Sequence, residues 1–334
     1  MPDIPILLIL IIVIAIVFDY TNGVHDSANA IATIVSTKVL SPAQAVIMAA
    51  SLNLVGAFIG TEVASTIGKG IVNPEIIAGC QSIILAALLG AILWNLITWY
   101  LGLPSSSSHA LIGGLIGAAI AYKGWDTLQF TSIIDKVVLP LFLSPLAGFI
   151  GGYLLMLLLA WITCRMHPKK MNKLFRRLQV VGAAFMALTH GSNDGQKTMG
   201  IITLALFLFH KIPAIEVPFW VKILCACAIA FGTATGGWKI IKTVGKKIFK
   251  MEPVHGFAAE TSSAMVIMAA SAIGAPISTT HVFSSSILGV GSSKRFSAVK
   301  WGVAGQMVIA WFLTLPASAI VGMACFYIIN AFAA

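Results

Sequence analysis

The sequence predicts an all-α protein that crosses a membrane several times, and its composition, its uncharged runs and an internal duplication carry this prediction. The 334 residues are 58 % hydrophobic and 10 % charged, with a mean hydropathy of +0.96, whereas soluble domains carry about 25 % charged residues. A helix needs roughly 20 apolar residues to span a bilayer, while transmembrane strands alternate in polarity. Uncharged runs of sufficient length occur at 39–61, 76–122, 139–163, 261–293 and 304–334.

Basic residues are concentrated in two segments, which orients the chain in the membrane. One set comprises Arg165, Lys169, Lys170, Lys173, Arg176 and Arg177, and the other comprises Lys239, Lys242, Lys246, Lys247 and Lys250. Short basic loops beside apolar spans are typical of the cytoplasmic side, where they also meet anionic lipid headgroups. This placement accounts for the net charge of +10, so we expect membrane lipids and no nucleic acid as partners.

The chain also contains an internal duplication. NGVHDSAN at 22–29 matches HGSNDGQK at 190–197 with an offset of 168 residues. GLPSSSSH at 102–109 matches GAPISTTH at 274–281 with an offset of 172 residues. Since two landmarks recur in the same order at nearly the same spacing, the chain divides into two repeats. The predicted units are a first repeat at 1–165, a basic cytoplasmic linker at 166–177 and a second repeat at 178–334.

A duplicated polytopic membrane protein is typical of secondary transporters, whose substrate sites lie near mid-membrane between the repeats. Gly and Pro interrupt the apolar runs at matching places, near residues 22 and 190 and again near 102 and 274. Backbone freed at that depth must be buried in protein or line a cavity. We therefore expect broken helices at all four places and a binding site where they meet. An odd number of crossings between equivalent points would make the repeats inverted, which the spacing leaves open.

The two serine-type motifs each predict a helix N-terminus inside the membrane. Pro104 and Pro276 end one segment, and the Ser and Thr residues that follow are favoured N-cap residues. A helix N-terminus offers free amide donors and a partial positive charge, so two facing tips would suit a small tetrahedral oxyanion. The predicted anion ligands are Ser106, Ser107, Ser108, Ser278, Thr279 and Thr280. Ser105 is left out because its counterpart is Ile277, and His109 and His281 are expected to support the tips by hydrogen bonds.

The other pair of motifs supplies negative charge. Asp26 and Asp194 follow a Gly at the same spacing in apolar surroundings, and a carboxylate at mid-bilayer costs ~2.5–3.5 kcal/mol on insertion scales. Neighbouring amide side chains add oxygen donors of the kind that hard cations prefer. The predicted ligands of a cation, Na⁺ or a proton, are Asn22, Asp26, Asn29, Asn193, Asp194, Gln196 and Glu260.

Several nearby ionisable residues keep two interpretations. Glu260 is either a cation ligand or an interfacial residue paired with a lysine, and Asp19 either lines the cavity or lies at an interface. His25, His190 and Lys197 flank the acidic motifs as pairing partners of the aspartates, and Lys197 is alternatively a residue that attracts the anion.

Other function classes are weaker. Ser, His and Asp within the spans could compose the nucleophile and base of a membrane phosphoester hydrolase. However, the chain has no Gly-x-Ser-x-Gly elbow and no His-Glu-x-x-His motif. No nucleotide fingerprint is visible, so transport would be driven by an ion gradient or a partner subunit. Another tetrahedral oxyanion such as sulfate is the alternative substrate.

Four motifs resemble those of the inorganic phosphate transporter (PiT) family. They are NGVHDSANAIAT at 22–33, WNLITWYLGLPSSSSH at 94–109, HGSNDGQK at 190–197 and GAPISTTHV at 274–282. The resemblance implies an all-α polytopic transmembrane transporter with two inverted repeats and broken or re-entrant helices. It also implies import of inorganic phosphate across the cytoplasmic membrane by symport with Na⁺ or H⁺, as a homodimer and without a cofactor. Glu260 is similar to an acid of sodium-coupled members, whereas the first-half motifs are more similar to the bacterial proton-coupled branch.

Overall fold

The computed structural model describes residues 5–333, which form helices and connecting segments with no strand among them. The first half of the chain contains α1 (Ile6–Ser36), α2 (Pro42–Gly56), α3 (Glu62–Gly70), α4 (Pro74–Ile77), α5 (Ser82–Leu101), α6 (Ser107–Lys123), α7 (Phe130–Ile133) and α8 (Leu139–Thr163). The second half contains α9 (Pro168–Leu208), α10 (Phe219–Thr235), α11 (Trp238–Lys242), α12 (Pro253–Ala272), α13 (Thr279–Lys294) and α14 (Trp301–Ala333). The all-α prediction is confirmed.

Long apolar helices account for the membrane spans. Within the described residues, four helical segments are long and apolar enough to cross a bilayer: Ile6–Ser36, Ser82–Leu101, Phe130–Thr163 and Trp301–Phe332. A fifth is obtained if Phe219–Thr235 and Trp238–Lys247, which are bent by 58° at a short break, form one span. The remaining long helices pack on these spans and on one another: α9 contacts α1, α2, α3 and α12, and α10 contacts α1, α2 and α9.

The elements follow the same order in both halves. The helices α1 and α2 correspond to α9 and α10, the helix pair α5 and α6 corresponds to α12 and α13, and the long α8 corresponds to α14. A short 3₁₀ turn follows each second helix of the pair, at Trp125–Thr127 and at Phe296–Ala298. The correspondence places the serine-type motifs between equivalent helices.

Two of the four expected helix breaks are present. The helix α5 ends at Leu101 and α12 at Ala272, and each is followed by a glycine in the left-handed region, Gly102 with φ 67° and Gly274 with φ 68°. Such φ values are costly for residues with a Cβ. The chain then runs without helical structure to the start of α6 and α13.

The breaks expected near residues 22 and 190 are wrong, because α1 and α9 run through them without interruption. The glycines there serve close packing of neighbouring helices. A Cβ at Gly23 would overlap the carbonyl oxygen of Ile229 in α10, and a Cβ at Gly191 would overlap that of Asn53 in α2. Small residues that let membrane helices approach closely are common at such interfaces.

The basic segments are more helical than expected. The segment 166–177, expected as a connecting loop, is helical from Pro168 onward and forms the first turns of α9. Proline suits the first position of a helix, and the Lys, Arg, Leu and Met residues that follow are good helix formers. The second basic segment likewise contains α11 and a π-helical turn at Thr243–Lys247.

The long last helix of each half packs against the other half. The helix α8 contacts α13, and α14 contacts both α5 and α6. Glycines allow the close approach: a Cβ at Gly117 in α6 would overlap the carbonyl oxygen of Ala319 in α14, and a Cβ at Gly289 in α13 would overlap that of Phe149 in α8. The two halves are therefore interlocked, with the serine-type motifs at the centre.

Candidate functional site

The two serine-type motifs form two buried tips of the same construction, the first tip at 104–109 and the second tip at 276–281. The Ser106 hydroxyl caps α6 by accepting from the His109 backbone N–H at 3.2 Å, and Ser278 caps α13 by accepting from the His281 N–H at 3.2 Å. Every Ser and Thr side chain of the tips is at most 4 % exposed. The capping expected from the sequence is thus present at both helices.

Asp26 receives hydroxyl donors from both tips. Its Oδ2 accepts from Ser107 of the first tip at 3.1 Å, and its Oδ1 accepts from Thr280 of the second tip at 2.9 Å. The Nδ1 atom of His25 lies 2.7 Å from the same Oδ1. The carboxylate of α1 therefore connects the two halves at one point.

Asp194 occupies the equivalent place on α9. Its Oδ2 accepts from Thr279 at 3.0 Å and lies 3.0 Å from His190 Nε2, while its Oδ1 accepts from the Lys197 ammonium. Lys197 is 2 % exposed and also donates to Ser108 Oγ and, at 3.1 Å, to the carbonyl oxygen of Ile277. Lys197 thus ties Asp194 to both tips.

Asn29 and Lys197 play matching parts, since they stand at equivalent positions of the duplicated motif. The Asn29 amide donates to Thr280 at 3.0 Å and to Thr279 at 3.3 Å, both in the second tip. Lys197 of the second half reaches Ser108 in the first tip. Asn29 of the first half therefore donates to the second tip, and Lys197 of the second half donates to the first tip.

The arrangement has the donor set of a cation site. Ligand atoms of Asp26, His190 and Asp194 all lie within 4.8 Å of one another, and all three residues are buried. We call these three residues together with Lys197 and the four tip hydroxyls of Ser107, Ser108, Thr279 and Thr280 the central cluster. Lys197 pairs with Asp194, and the rings of His25 and His190 lie against Asp26 and Asp194, so Asp26 has no lysine or arginine partner among the described residues.

Two of the predicted cation ligands, Gln196 and Glu260, make their hydrogen bonds away from the tips. Gln196 donates to the carbonyl oxygens of Ile59 and Ser192 and accepts from the Val63 N–H at 2.9 Å, so its side chain holds the connection between α2 and α3. Glu260 accepts from the hydroxyl of Thr33, seven residues beyond Asp26 on α1, and from Gln179 at 3.4 Å. The carboxylate of Glu260 is fully buried and has no lysine partner among the described residues, which contradicts the lysine pairing offered as its alternative.

The asparagines differ in their surroundings. Asn193 donates to the Ser271 hydroxyl at 2.8 Å near the end of α12. Asn22 is 1 % exposed, and neither its amide nitrogen nor its oxygen has a hydrogen-bond partner among the described residues. Of the predicted set, Asp26, Asn29 and Asp194 are the ones that the fold brings directly to the tips.

The histidines of the tips are held by ring contacts rather than by the hydrogen bonds we expected. The rings of His109 and His281 lie 5.0 Å apart, and His281 stacks on Trp311 of α14 at 4.5 Å. No side-chain hydrogen bond is made by His281 within residues 5–333. Trp311 in turn donates to the Pro104 carbonyl oxygen at 3.0 Å, so one indole contacts both tips.

Ser105 points away from the central cluster. Its hydroxyl donates to Thr98 of α5 at 2.9 Å and lies 3.3 Å from His25 Nε2. His25 is the partner of Asp26, so Ser105 belongs to the shell that orients that carboxylate. This geometry agrees with leaving Ser105 out of the anion ligands.

The sequence analysis expected His25, His190 and Lys197 as pairing partners of the aspartates, and all three make such contacts, His25 with Asp26 and the other two with Asp194. The structure makes Lys197 the anchor of a tip and places His190 against Asp194, with its Nδ1 atom 3.1 Å from the Asn53 oxygen. The duplication carried the signal for Lys197, because Asn29 stands at its equivalent position and has an amide donor.

Comparison with known proteins identifies the family. The sequence profile of the phosphate transporter family matches residues 22–322. A Bacillus subtilis protein named "Probable low-affinity inorganic phosphate transporter" is 52 % identical over 326 residues, which are 97 % of this chain and 98 % of that protein. A Rhizobium meliloti protein of the same name is 47 % identical over 323 residues, covering 96 % of each chain.

A solved structure has the same fold. "The sodium-dependent phosphate transporter" superposes with a TM-score of 0.90 over 97 % of this chain and 99 % of that chain, at 24 % sequence identity. The relatives are transporters rather than enzymes, which disfavours the hydrolase, and the apolar helices make the chain a multi-pass protein of the cytoplasmic membrane. On the family profile and on identities near one half over nearly the whole length, the chain belongs to the phosphate transporter family and functions in phosphate transport.

Proposed function

We propose that the chain imports inorganic phosphate by symport with a monovalent cation, Na⁺ or H⁺. The observation that carries this proposal is the pair of buried carboxylates in the central cluster, Asp26 and Asp194, of which Asp194 alone has a lysine partner among the described residues. Phosphate adds about one to two further negative charges near neutral pH. Buried charge without a partner is strongly unfavourable, so cations must enter with the anion.

The tips supply the phosphate ligands in this proposal. The hydroxyls of Ser107, Ser108, Thr279 and Thr280, together with the free N–H groups of the first turns of α6 and α13, form a donor-rich pocket between two positive helix ends. The hydroxyl oxygens of Ser106 and Ser278 accept from backbone N–H groups as helix caps. The hydroxyl hydrogen of each residue is still able to donate to phosphate.

Competition for the same hydroxyls gives a physical basis for coupling. Ser107, Thr279 and Thr280 donate to the two aspartates in this structure, and a hydroxyl has only one hydrogen to donate. A cation or proton on Asp26 and Asp194 lowers their strength as acceptors and releases these hydroxyls for phosphate. The expected order is therefore cation first and phosphate second.

Reconstituted protein tests the proposal. Labelled phosphate uptake into proteoliposomes is measured under an imposed Na⁺ gradient, an imposed H⁺ gradient and no gradient. We expect one of the two gradients to drive accumulation by wild type. The variants Asp26→Ala and Asp194→Ala should lose gradient-driven uptake, while Asp126→Ala, a change at an exposed acid, should not. Wild-type uptake by both central variants would overturn the cation assignment.

The substrate and the assembly have their own measurements. Excess sulfate should leave labelled phosphate uptake unchanged, and strong competition would favour a general oxyanion carrier.

The homodimer implied by the family resemblance is tested by the mass of the purified protein in detergent, where a monomer would contradict it.

A further inference from the structure

Asp19 is a buried acid that the central cluster does not use. It lies on α1, its side chain is 0 % exposed, and neither carboxylate oxygen has a hydrogen-bond partner among the described residues. Buried polar groups in folded proteins are nearly always satisfied, and an unpaired carboxylate in a membrane core is unfavourable unless a positive charge neutralises it. The surroundings of Asp19 therefore indicate a ligand.

Further polar side chains without hydrogen-bond partners lie around Asp19, and their oxygen atoms are potential cation ligands. Asn22 follows one turn later on α1, and Thr198 of α9 faces the Asp19 carboxylate. Asn95 lies on the face of α5 that contacts α1, since Thr98 one turn further along hydrogen-bonds His25. The polar side-chain atoms of Asn22, Asn95 and Thr198 are all buried and without partners in the part of the chain that the structure describes.

The charges that face Asp19 from other helices come from α9. They are Asp194 and Lys197 of α9, which pair with each other, and the neutral thiol of Cys225 in α10 is buried beside the carboxylate. Because Lys197 is held by Asp194, it does not serve as the counter-charge of Asp19. A monovalent cation is the partner that these oxygen donors lack.

Spacing along the helices places this group next to the central cluster. Asp19 and Asp26 are seven residues apart on α1, so they share a face and are separated by ~10 Å along the axis. Thr198 follows Asp194 by four residues on α9, which runs from the basic end toward the opposite end. The Asp19 group therefore lies one to two turns from the central cluster, on the side away from the basic segments.

The second half lacks this group. At the positions equivalent to Asp19 and Asn95, with the offsets of 168 and 172 residues, stand Ala187 and Ile267. The two halves therefore differ at these buried positions, where the first half has polar residues and the second half has apolar ones.

We propose that Asp19, Asn22, Asn95 and Thr198 form a second site for a monovalent cation, distinct from the central cluster and on the side of the membrane from which phosphate enters. The inference rests on the cation symport proposed above. A cation bound there lies ~10 Å from Asp26 along one face of α1 and is carried with phosphate in addition to the cation at the central cluster.

The variant Asp19→Asn tests the site, because it removes the charge and keeps the shape. In proteoliposomes, labelled Na⁺ entry, proton entry reported by an internal pH dye, and labelled phosphate entry are measured together. We expect the number of cations carried per phosphate to fall by about one relative to wild type. Exchange of internal for external phosphate without a gradient should stay within about twofold, because the central cluster is intact.

The control is Thr203→Val, which changes a buried α9 hydroxyl that bonds only within its own helix. It should match wild type in both measurements. If Asp19→Asn carries the same number of cations per phosphate as wild type, or if it loses exchange as strongly as accumulation, the proposed site is overturned.

A second variant covers a failure of Asp19→Asn to fold. Asn95→Ile introduces the residue type of the second half and should also lower the number of cations per phosphate, and an unchanged number would contradict the site. The failure of the proposed function gives a different result, because wild type itself would then accumulate no phosphate under either gradient.

Discussion

At the scale of single residues, the central cluster depends on bonds that cross between the halves. Asn29 of α1 holds the second tip and Lys197 of α9 holds the first tip, while Asp26 accepts from one hydroxyl of each. These contacts join residues far apart in sequence, so no local pattern predicts them. The residue types at 26, 29 and 194 were nevertheless predictable, because buried acids and amides are costly unless they are used.

Ser107→Ala should weaken phosphate binding more than Ser105→Ala does. A hydrogen bond to a charged group contributes about 1.5–3 kcal/mol, so loss of the Ser107 donor should raise the KM for phosphate by about tenfold or more. Ser105 contacts His25 and Thr98 instead, and its variant should change KM by less. Concentration-dependent uptake in proteoliposomes provides both values, and equal effects would contradict the assigned ligands.

Lys197→Met should destabilise the protein strongly. Removing one partner of a buried ion pair costs about 3–5 kcal/mol, because the other charge stays buried and unpaired. The double variant with Asp194→Asn removes that charge as well and should recover part of the loss. Thermal unfolding of the purified variants in detergent measures the recovery, and purely additive losses would show that the two residues are not coupled.

At the scale of elements, the sequence was sufficient where backbone chemistry acts locally. Gly102, Pro104 and the serines after it predicted a break followed by a capped helix, and both tips have this construction. The sequence was insufficient where the role of a residue depends on contact with a neighbouring helix. Gly23 and Gly191 resemble breaks, yet they make room for α10 and α2 inside unbroken helices.

Loss of either cap should cost a similar amount of stability. Ser106 and Ser278 accept from the backbone at the same distance, 3.2 Å, and replacement of an N-cap serine by alanine costs about 1 kcal/mol. We expect Ser278→Ala and Ser106→Ala to lower the unfolding temperature in detergent by a few degrees each. Ser293→Ala, near the end of α13, should leave it unchanged, because that hydroxyl bonds only to Val290 in its own helix.

At the scale of the whole molecule, each half packs its last helix against the other half. The last helix of each half packs on the tip helix of the other, through glycines that leave no room for a side chain. The duplication was visible in the sequence, but this packing was not. Helices such as α8 and α14 are apolar on all sides, so their sequences do not indicate which helix they pack against. Their packing is fixed by shape at small residues.

A chain divided in the loop between α8 and α9 should therefore depend on both pieces. Fragments 1–165 and 166–334 expressed together should assemble and restore phosphate uptake, whereas each fragment alone should fail to accumulate in the membrane in folded form. Uptake by cells that produce one or both fragments measures this dependence. A division inside α9, for example after Gln179, is the control that should fail even with both fragments present.

Trp311 offers a way to follow the two tips in real time. Its indole donates to Pro104 of the first tip and stacks on His281 of the second tip, and it is 5 % exposed. Any separation of the tips changes both the hydrogen bond and the polarity around the ring. In a variant that keeps this tryptophan and replaces the other seven of the eight by phenylalanine, the emission wavelength becomes an intrinsic optical signal of opening and closing, without an attached dye.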